Sequence, residues 1–584
     1  MTSILSRVPY LKDIPARALK AAEKDMSWFS VPGGGNLFDE GASSDAIYFV
    51  LSGTLGAFRR SMDGRIEFLG HIRPGEPVGE MAMLAGEPHS NSVFAIRDSE
   101  VVKLPRATFM RLVRSSPEVM EKISRTLLVR LRQSRRQRVR AEPKVFALTA
   151  ASPTIDLRLR ARLISEALAR LGLKAAIVGD EGDHKSAEYF DDLEANHDIV
   201  ILISTMGDNN WFRLSLRQAD RIWVIGRPDA RPSSPLLPDE TSPAKRFRFI
   251  DIVLIEHNNG RRVSTPADWI DASGAARCFR WKGLGADESD RLARIMAGRS
   301  IGLVLSGGGA RAYAHIGLVR ALREIGCPID FVGGASMGAI VAACVAKGWS
   351  DDEIDYRIRK AFVESNPLGD YTLPVVSLVR GKRVDRRLKE HFGDGCITDL
   401  EMPFFAVSTN LNDGAIRMHT RGVLRQALRA TISLPGILPP VVDNGEVLVD
   451  GAVLNNFPVG IMKDTHRGYT IGCDVARAPE GLQASDFVNP PNFFGWVMRH
   501  GISSPPPIAS LLMKTATINV DPNEGRSHAD ILVLPDLPDI DLRDWQDYDR
   551  TVEAGYESAK ASLANASGPI ARILKNEVKW TSSN

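Results

Sequence analysis

Ser336 lies within Gly334-Ala335-Ser336-Met337-Gly338, the G-x-S-x-G spacing that sets a nucleophilic hydroxyl on a sharp strand-to-helix turn. Glycines on both sides leave room for backbone that a side chain would block. A serine hydroxyl attacks a carbonyl efficiently only when one group takes its proton and donors hold the oxyanion that forms. Gly307-Gly308-Gly309, ending 27 residues before the serine, offers unblocked N–H groups for that oxyanion. Asp450, opening Asp450-Gly451-Ala452, offers a carboxylate for the proton. An ordinary aspartate has a pKa of about 3.9, too acidic for an efficient base, so the fold has to desolvate it.

These side chains need particular elements beneath them. Ile329-Asp330-Phe331-Val332-Gly333 reads as a short buried strand before the serine, and Ala339 to Lys347 as a helix of small residues after it. Ile301 to Ser306 reads as an apolar strand feeding the glycines, with a helix following to about Ile325. One helix between consecutive strands predicts a right-handed parallel crossover, with both loops at the same carboxyl edge. Glu446-Val447-Leu448-Val449 reads as a strand ending at Asp450. Rival chemistries are weaker. The glycine loop lacks the Lys-Ser/Thr of a P-loop and the spacing of a dinucleotide fingerprint. His391, His419, His466 and His500 follow the serine, but none lies in a strand-end motif, so each reads as an ordinary surface or core histidine. His315 reads as helix packing.

The glycine loop with its arginine, the serine elbow and the Asp-Gly-Ala segment, in that order, resemble the patatin-like phospholipases. Leu434-Pro435-Gly436-Ile437-Leu438-Pro439-Pro440-Val441 and Asn455-Asn456-Phe457-Pro458 extend the resemblance, which covers roughly Gly298 to Val475. It implies a Ser–Asp dyad, with Ser336 as nucleophile, Asp450 as base and no histidine in the role. It also implies Gly307, Gly308 and Gly309 as the oxyanion hole, and Arg311 orienting that loop or a substrate phosphate. Ala312 stands where the family usually has a glycine. The implied reaction is hydrolysis of fatty-acyl esters of lysophospholipids or phospholipids through an acyl-serine, without a cofactor. No D-x-[DN]-x-[DN]-G loop or H-E-x-x-H occurs, so no metal is expected.

From about Trp28 to Leu104 the chain reads as short strands between turn signals, the pattern of a small β-barrel or jelly roll. Gly79-Glu80-Met81-Ala82-Met83-Leu84, followed by Gly86-Glu87-Pro88, resembles the phosphate-binding cassette of cyclic nucleotide-binding domains. The resemblance implies that Glu80 holds a ribose hydroxyl. His89, however, occupies the position of the arginine that pairs with the cyclic phosphate. A neutral imidazole replacing a bidentate cation predicts weak cyclic-nucleotide binding or none. Beyond it, residues 125–140 read as the end of a helix crowded with arginines, either a solvated helix C-terminus or a candidate surface for anionic lipid headgroups.

Lys144 to about Arg280 alternates strand and helix, as in an open, doubly wound sheet without a nucleotide fingerprint. The expected architecture is therefore multidomain: a cyclic nucleotide-binding-like barrel with its basic helix (1–140), an α/β spacer (141–297), a patatin-like α/β hydrolase (298–480) and an extension that completes it (481–584). That order resembles the neuropathy target esterase branch of patatin-like proteins, in a bacterial-looking form, and the branch implies lysophospholipase activity. Phe493 to Met498, between prolines, reads as core or as a lid over an acyl groove. The net charge of +3 gives no reason to expect a nucleic-acid partner. Five scattered cysteines favour a reducing compartment. The opening residues lack a signal-peptide pattern, and the longest uncharged run, Phe331 to Ala346, is short for a bilayer span. The expectation is a cytoplasmic protein, either free or peripheral on the inner face of the membrane. The alternative is a non-catalytic regulatory or scaffold protein with a nucleotide- or lipid-binding N-terminal domain, against which the intact serine, aspartate and glycine motifs stand.

Overall fold

Residues 27–105 form short strands between tight turns, and they close into two four-stranded sheets. In one, Ser27–Val31, Ser99–Pro105, Ala46–Ser52 and Pro77–Val78 lie side by side; in the other, Asn36–Phe38, Ser92–Ala95, Leu55–Arg60 and Ile66–Ile72 do. Neighbouring strands in both sheets pair antiparallel, as in the jelly roll that the spacing suggested. The short helix Glu80–Ala85 opens at Gly79, whose φ of +76° suits a residue without a Cβ.

The computed structural model describes residues 14–124, 143–476 and 522–571, apart from breaks at 61–65, 122, 186, 208, 235, 238–248, 257–261, 374, 538–539, 541, 543 and 568–569, together with residues 5, 8, 11 and 498. The arginine-crowded stretch 125–140 and the aromatic stretch 493–497 lie outside the described residues. No helix among the described residues is long and apolar enough to cross a membrane. The chain divides into two compact units, one of residues 1–264 with 268–277 and 281–284, the other of 285–584 with 265–267 and 278–280.

The barrel shares its unit with a six-stranded sheet in the order 175–178, 199–205, 145–150, 221–226, 249–256, 277–282. Its central strands pair in parallel and are almost wholly apolar, as strands covered on both faces must be. Arg97 of the barrel joins the two parts through a paired contact with Glu194, and the ion pair is nearly excluded from solvent.

The second unit is built on an eight-stranded sheet. Its order is 441–443, 446–450, 404–410, 331–335, 301–305, 469–473, 531–533, with 415–419 also paired to 404–410. Strands 301–305 and 331–335 are parallel, as one intervening helix requires. Every residue of the helix Ser336–Ala346 is buried. Small side chains let strands and helices approach it on all sides, which suits a helix that is apolar all round. Gly338 has no alternative there: a Cβ would collide with the carbonyls of Leu305 and Ser306.

Register decides where the chemistry meets. Strand 404–410 pairs in parallel with 331–335 through Phe404 to Val407, and antiparallel with 446–450 through Ser408 to Asn410. Strand 415–419 spans Ala406 to Asn410 and so occupies the other flank. Strands 331–335 and 446–450 therefore share one flank and run toward each other. Ala335 lies opposite Val407 and Asp450 opposite Ser408, so the two carboxyl ends abut. The 441–450 hairpin that carries Asp450 turns at Asn444-Gly445, with φ of +49° and +85°. Asn-Gly is the pair that such a two-residue turn favours, and it fixes the register of the aspartate.

Candidate active site

Ser336 adopts φ +51°, a left-handed conformation that costs a non-glycine residue energy and is held by its surroundings. Thr431, at the end of the helix Leu424–Thr431, supplies part of that hold. Its hydroxyl accepts the Ser336 N–H at 2.9 Å and donates to the Val407 carbonyl at 2.5 Å. Val407 is the position where the two strand ends abut, so the threonine ties the elbow to the junction. The Asp450 N–H in turn donates to the carbonyl of Ser433, two residues after Thr431.

The Ser336 hydroxyl donates to Asp450 Oδ2 at 2.8 Å, and the Ala452 N–H donates to Oδ1 at 2.8 Å. Asp450 is wholly buried and Ser336 is 6% exposed. Burial pushes the Asp450 pKa up to about 7, against the opposing effect of the Ala452 N–H and the Ser336 hydroxyl. An aspartate in this state can exchange a proton with a serine near neutral pH.

The glycine loop lies against the elbow. A Cβ at Gly307 would stand 2.9 Å from Ser336 Cβ. The three glycines are not equivalent, and here the sequence expectation needs correction. The Gly307 N–H already donates to the Asn456 carbonyl at 3.1 Å, and Asn456 Nδ2 returns a bond to Gly307 O at 3.1 Å. Gly307 is thus clasped by Asn456. Gly308 and Gly309 remain as candidate donors, with no bond from either N–H to another described residue. Gly309 has φ +55°, and any side chain there would strike the Leu542 backbone. The Leu542 carbonyl also accepts the Ala310 N–H at 2.8 Å. Arg311, expected to orient the loop or a phosphate, donates from Nε to the Ile540 carbonyl at 2.7 Å. Its contact therefore braces the loop against the C-terminal segment.

The histidines are engaged elsewhere. His315 is buried with Nε2 2.8 Å from Ser306 O, and burial lowers its pKa to about 4. His419 contacts the Ser408 hydroxyl at 2.7 Å, and His466 contacts that of Ser300 at 3.1 Å. His391 is a buried residue in the last turn of the helix Lys382–Phe392, and His500 lies outside the described residues. Among the described residues no three His, Cys, Asp or Glu side chains gather as metal ligands would.

In the barrel, Glu80 and His89 are both buried, at 3% and 5% exposure. His89 stacks on Phe38 with ring centres 3.7 Å apart, and its Cε1 lies 3.0 Å from where a Gly79 Cβ would be. The imidazole is thus brought beside the start of the Glu80 helix. Burial lowers its pKa, opposed by the Asp45 charge, so it is neutral at pH 7.

Thr431 was not visible as a site residue in the sequence, and its replacement tests the elbow. Thr431→Val should lower kcat for a soluble p-nitrophenyl ester by about 10- to 100-fold with little change in KM, because the serine loses its backbone restraint. Thr431→Ser should restore most of the rate. Equal rates in all three proteins would remove the threonine from the machinery.

The family model for patatin-like phospholipase matches residues 303–463, and that for the cyclic nucleotide-binding domain matches residues 28–116. An NTE family protein of Mycobacterium bovis is 30% identical over 584 residues, covering 96% of both chains. Lysophospholipase NTE1 of Phaeosphaeria nodorum is 27% identical over 96% of this chain, which spans 44% of that longer protein. The catabolite activator protein of Thermus thermophilus aligns with 28% of this chain and 71% of its own, at 26% identity and a TM-score of 0.21.

Proposed function

This chain belongs to the NTE family and carries a patatin-like phospholipase domain, and on that premise we propose that it is a serine lipid acyl hydrolase working through a Ser336–Asp450 dyad. The 2.8 Å hydrogen bond from the Ser336 hydroxyl to a buried Asp450 carries the reading. In the first step Ser336 Oγ bonds to the ester carbonyl carbon while its proton passes to Asp450. The carbonyl electrons move onto oxygen, and the Gly308 and Gly309 N–H groups donate hydrogen bonds to the oxyanion that forms. Collapse breaks the ester bond, and the departing glycerol oxygen takes the proton from Asp450. Water then attacks the acyl-serine, giving its proton to Asp450 and releasing the fatty acid. The proton returns to Ser336.

Lysophospholipids are the proposed substrates, ahead of intact diacyl lipids, because a relative bears the name lysophospholipase and the domain order matches that branch. Fatty-acid release from lysophosphatidylcholine, measured beside labelling by a fluorophosphonate probe, tests this. No release and no labelling from the wild-type protein would instead favour a non-catalytic scaffold. A clear preference for diacyl lipid would overturn the substrate assignment alone.

For the barrel we propose a cyclic nucleotide-binding fold that has lost its phosphate grip. Losing a charge-assisted partner to phosphate costs about 2–5 kcal/mol. Calorimetry on the full chain should show cyclic AMP binding weakly or not at all at pH 7. His89→Arg should tighten it at least about tenfold. Because burial lowers the His89 pKa, any strengthening of wild-type binding with acid should come below the pH range in which an ordinary imidazole titrates. Tight, pH-independent binding by the wild type would show that another group holds the phosphate.

A further inference from the structure

Leu373, Val375 and Val376 are 71%, 91% and 65% exposed, on the connection leading to the helix Lys382–Phe392. Large apolar side chains gathered on a surface mark a contact with something other than water. The base of this connection is firmly held. The Leu378 N–H donates to Gly436 O at 2.9 Å, the Val379 N–H donates to Ile437 O at 3.1 Å, and Tyr371 bridges to Val379. Gly436 and Ile437 follow closely on Ser433, whose carbonyl receives the Asp450 N–H. The exposed tip is therefore built outward from the wall of the dyad. Val442, 70% exposed, adds an apolar side chain on the hairpin that carries Asp450.

Charge adjoins the apolar tip. Between residues 380 and 389 there are six Lys or Arg and a single acid, Asp385. Arg380, Lys382, Arg383, Arg386 and Lys389 are exposed. The exposed Asp385 is engaged by the Arg429 guanidinium at 2.9 Å, and Arg387 pairs with Glu390 at 2.7 Å, so neither acid is left to cancel the remaining cations. Apolar side chains that can enter hydrocarbon, followed at once by exposed cations, suit an anionic lipid surface better than an aqueous or protein one.

We infer that Leu373, Val375 and Val376 anchor the hydrolase in an anionic bilayer, with Arg380, Lys382 and their neighbours on the headgroups, so that the dyad is held at the membrane. The benefit of this placement rests on the lipid-hydrolase reading, but the anchoring itself does not. Full-length protein is mixed with vesicles of phosphatidylcholine containing 30% phosphatidylglycerol and recovered by flotation. Val375→Asp combined with Val376→Asp should reduce recovery at least tenfold, while turnover of a soluble short-chain ester and fluorophosphonate labelling stay within twofold of wild type. Arg380→Glu with Lys382→Glu should abolish the preference for anionic over pure phosphatidylcholine vesicles. An environment-sensitive dye attached at Val375→Cys should brighten and shift to the blue on adding the anionic vesicles. Undiminished flotation of the double aspartate variant, or a dye that does not respond, overturns the anchor. Vesicle binding that depends on these valines in a protein without ester turnover leaves the anchor standing and removes the hydrolase reading.

Discussion

Replacing Ser336 by alanine should slow fatty-acid release from lysophosphatidylcholine by about 10⁴-fold or more and abolish fluorophosphonate labelling. Alanine keeps the backbone and loses the only atom that can form the acyl ester, so oxyanion donors and substrate binding alone would remain. Asp450→Asn should cost about 10³- to 10⁴-fold. Its amide can still accept the Ala452 N–H and contact the serine, but it cannot take a proton. The two changes together should cost little more than the worse one, since each disables the same step. Far-UV circular dichroism and thermal unfolding establish that both variants fold. Either folded variant retaining a rate within tenfold of wild type would end the dyad proposal.

The second large effect lies in pH. Asp450 must be ionised to take the serine proton, and burial holds its pKa near 7. With a soluble ester, kcat/KM should rise about tenfold per pH unit up to about 7 and level off above 8. A rate at pH 5 near one hundredth of the plateau follows. Stability should run the other way. A carboxyl whose folded pKa is raised contributes stability that is fully present below its unfolded value near 3.8 and is lost as pH rises through 7. Ionising it in place costs on the order of 4 kcal/mol at alkaline pH. Asp450→Asn should therefore melt above wild type at pH 8, with the gap widening from about pH 4 and levelling above 7. A flat rate from pH 5 to 9, or an asparagine variant that melts lower at pH 8, would show that the aspartate is not held near 7.

Much of this arrangement was legible in the chain because it is local. The elbow needs a strand, a turn and a helix within some twenty residues, and 331–335 runs into Ser336–Ala346 as the small residues suggested. The strand ending at Asp450 was equally plain. What the sequence concealed is carried by contacts between distant residues. Thr431 meets Ser336 across 95 positions, Asn456 meets Gly307 across 149, and Arg311 meets Ile540 across 229. Nothing in the run of residues around Thr431 announces that its hydroxyl will meet the elbow. The Asn444-Gly445 turn was readable in principle, since that pair between apolar segments signals a hairpin. It would have shown that the Asp450 strand is antiparallel to its neighbour, and so how two strand ends could meet head to head.

The contacts of Ile540 and Leu542 with the glycine loop also set an order in time. A ribosome adds Ser336 at a point 206 residues before it reaches Leu542. At 5–20 residues per second that interval is about 10–40 seconds. During it the nascent chain has the proposed nucleophile and, once residue 450 has emerged, its proposed base. The loop proposed to receive the oxyanion still lacks the backbone against which Gly309, Ala310 and Arg311 are seated. On the proposed mechanism, a product truncated before Ile540 should therefore lack ester turnover even though it carries Ser336 and Asp450.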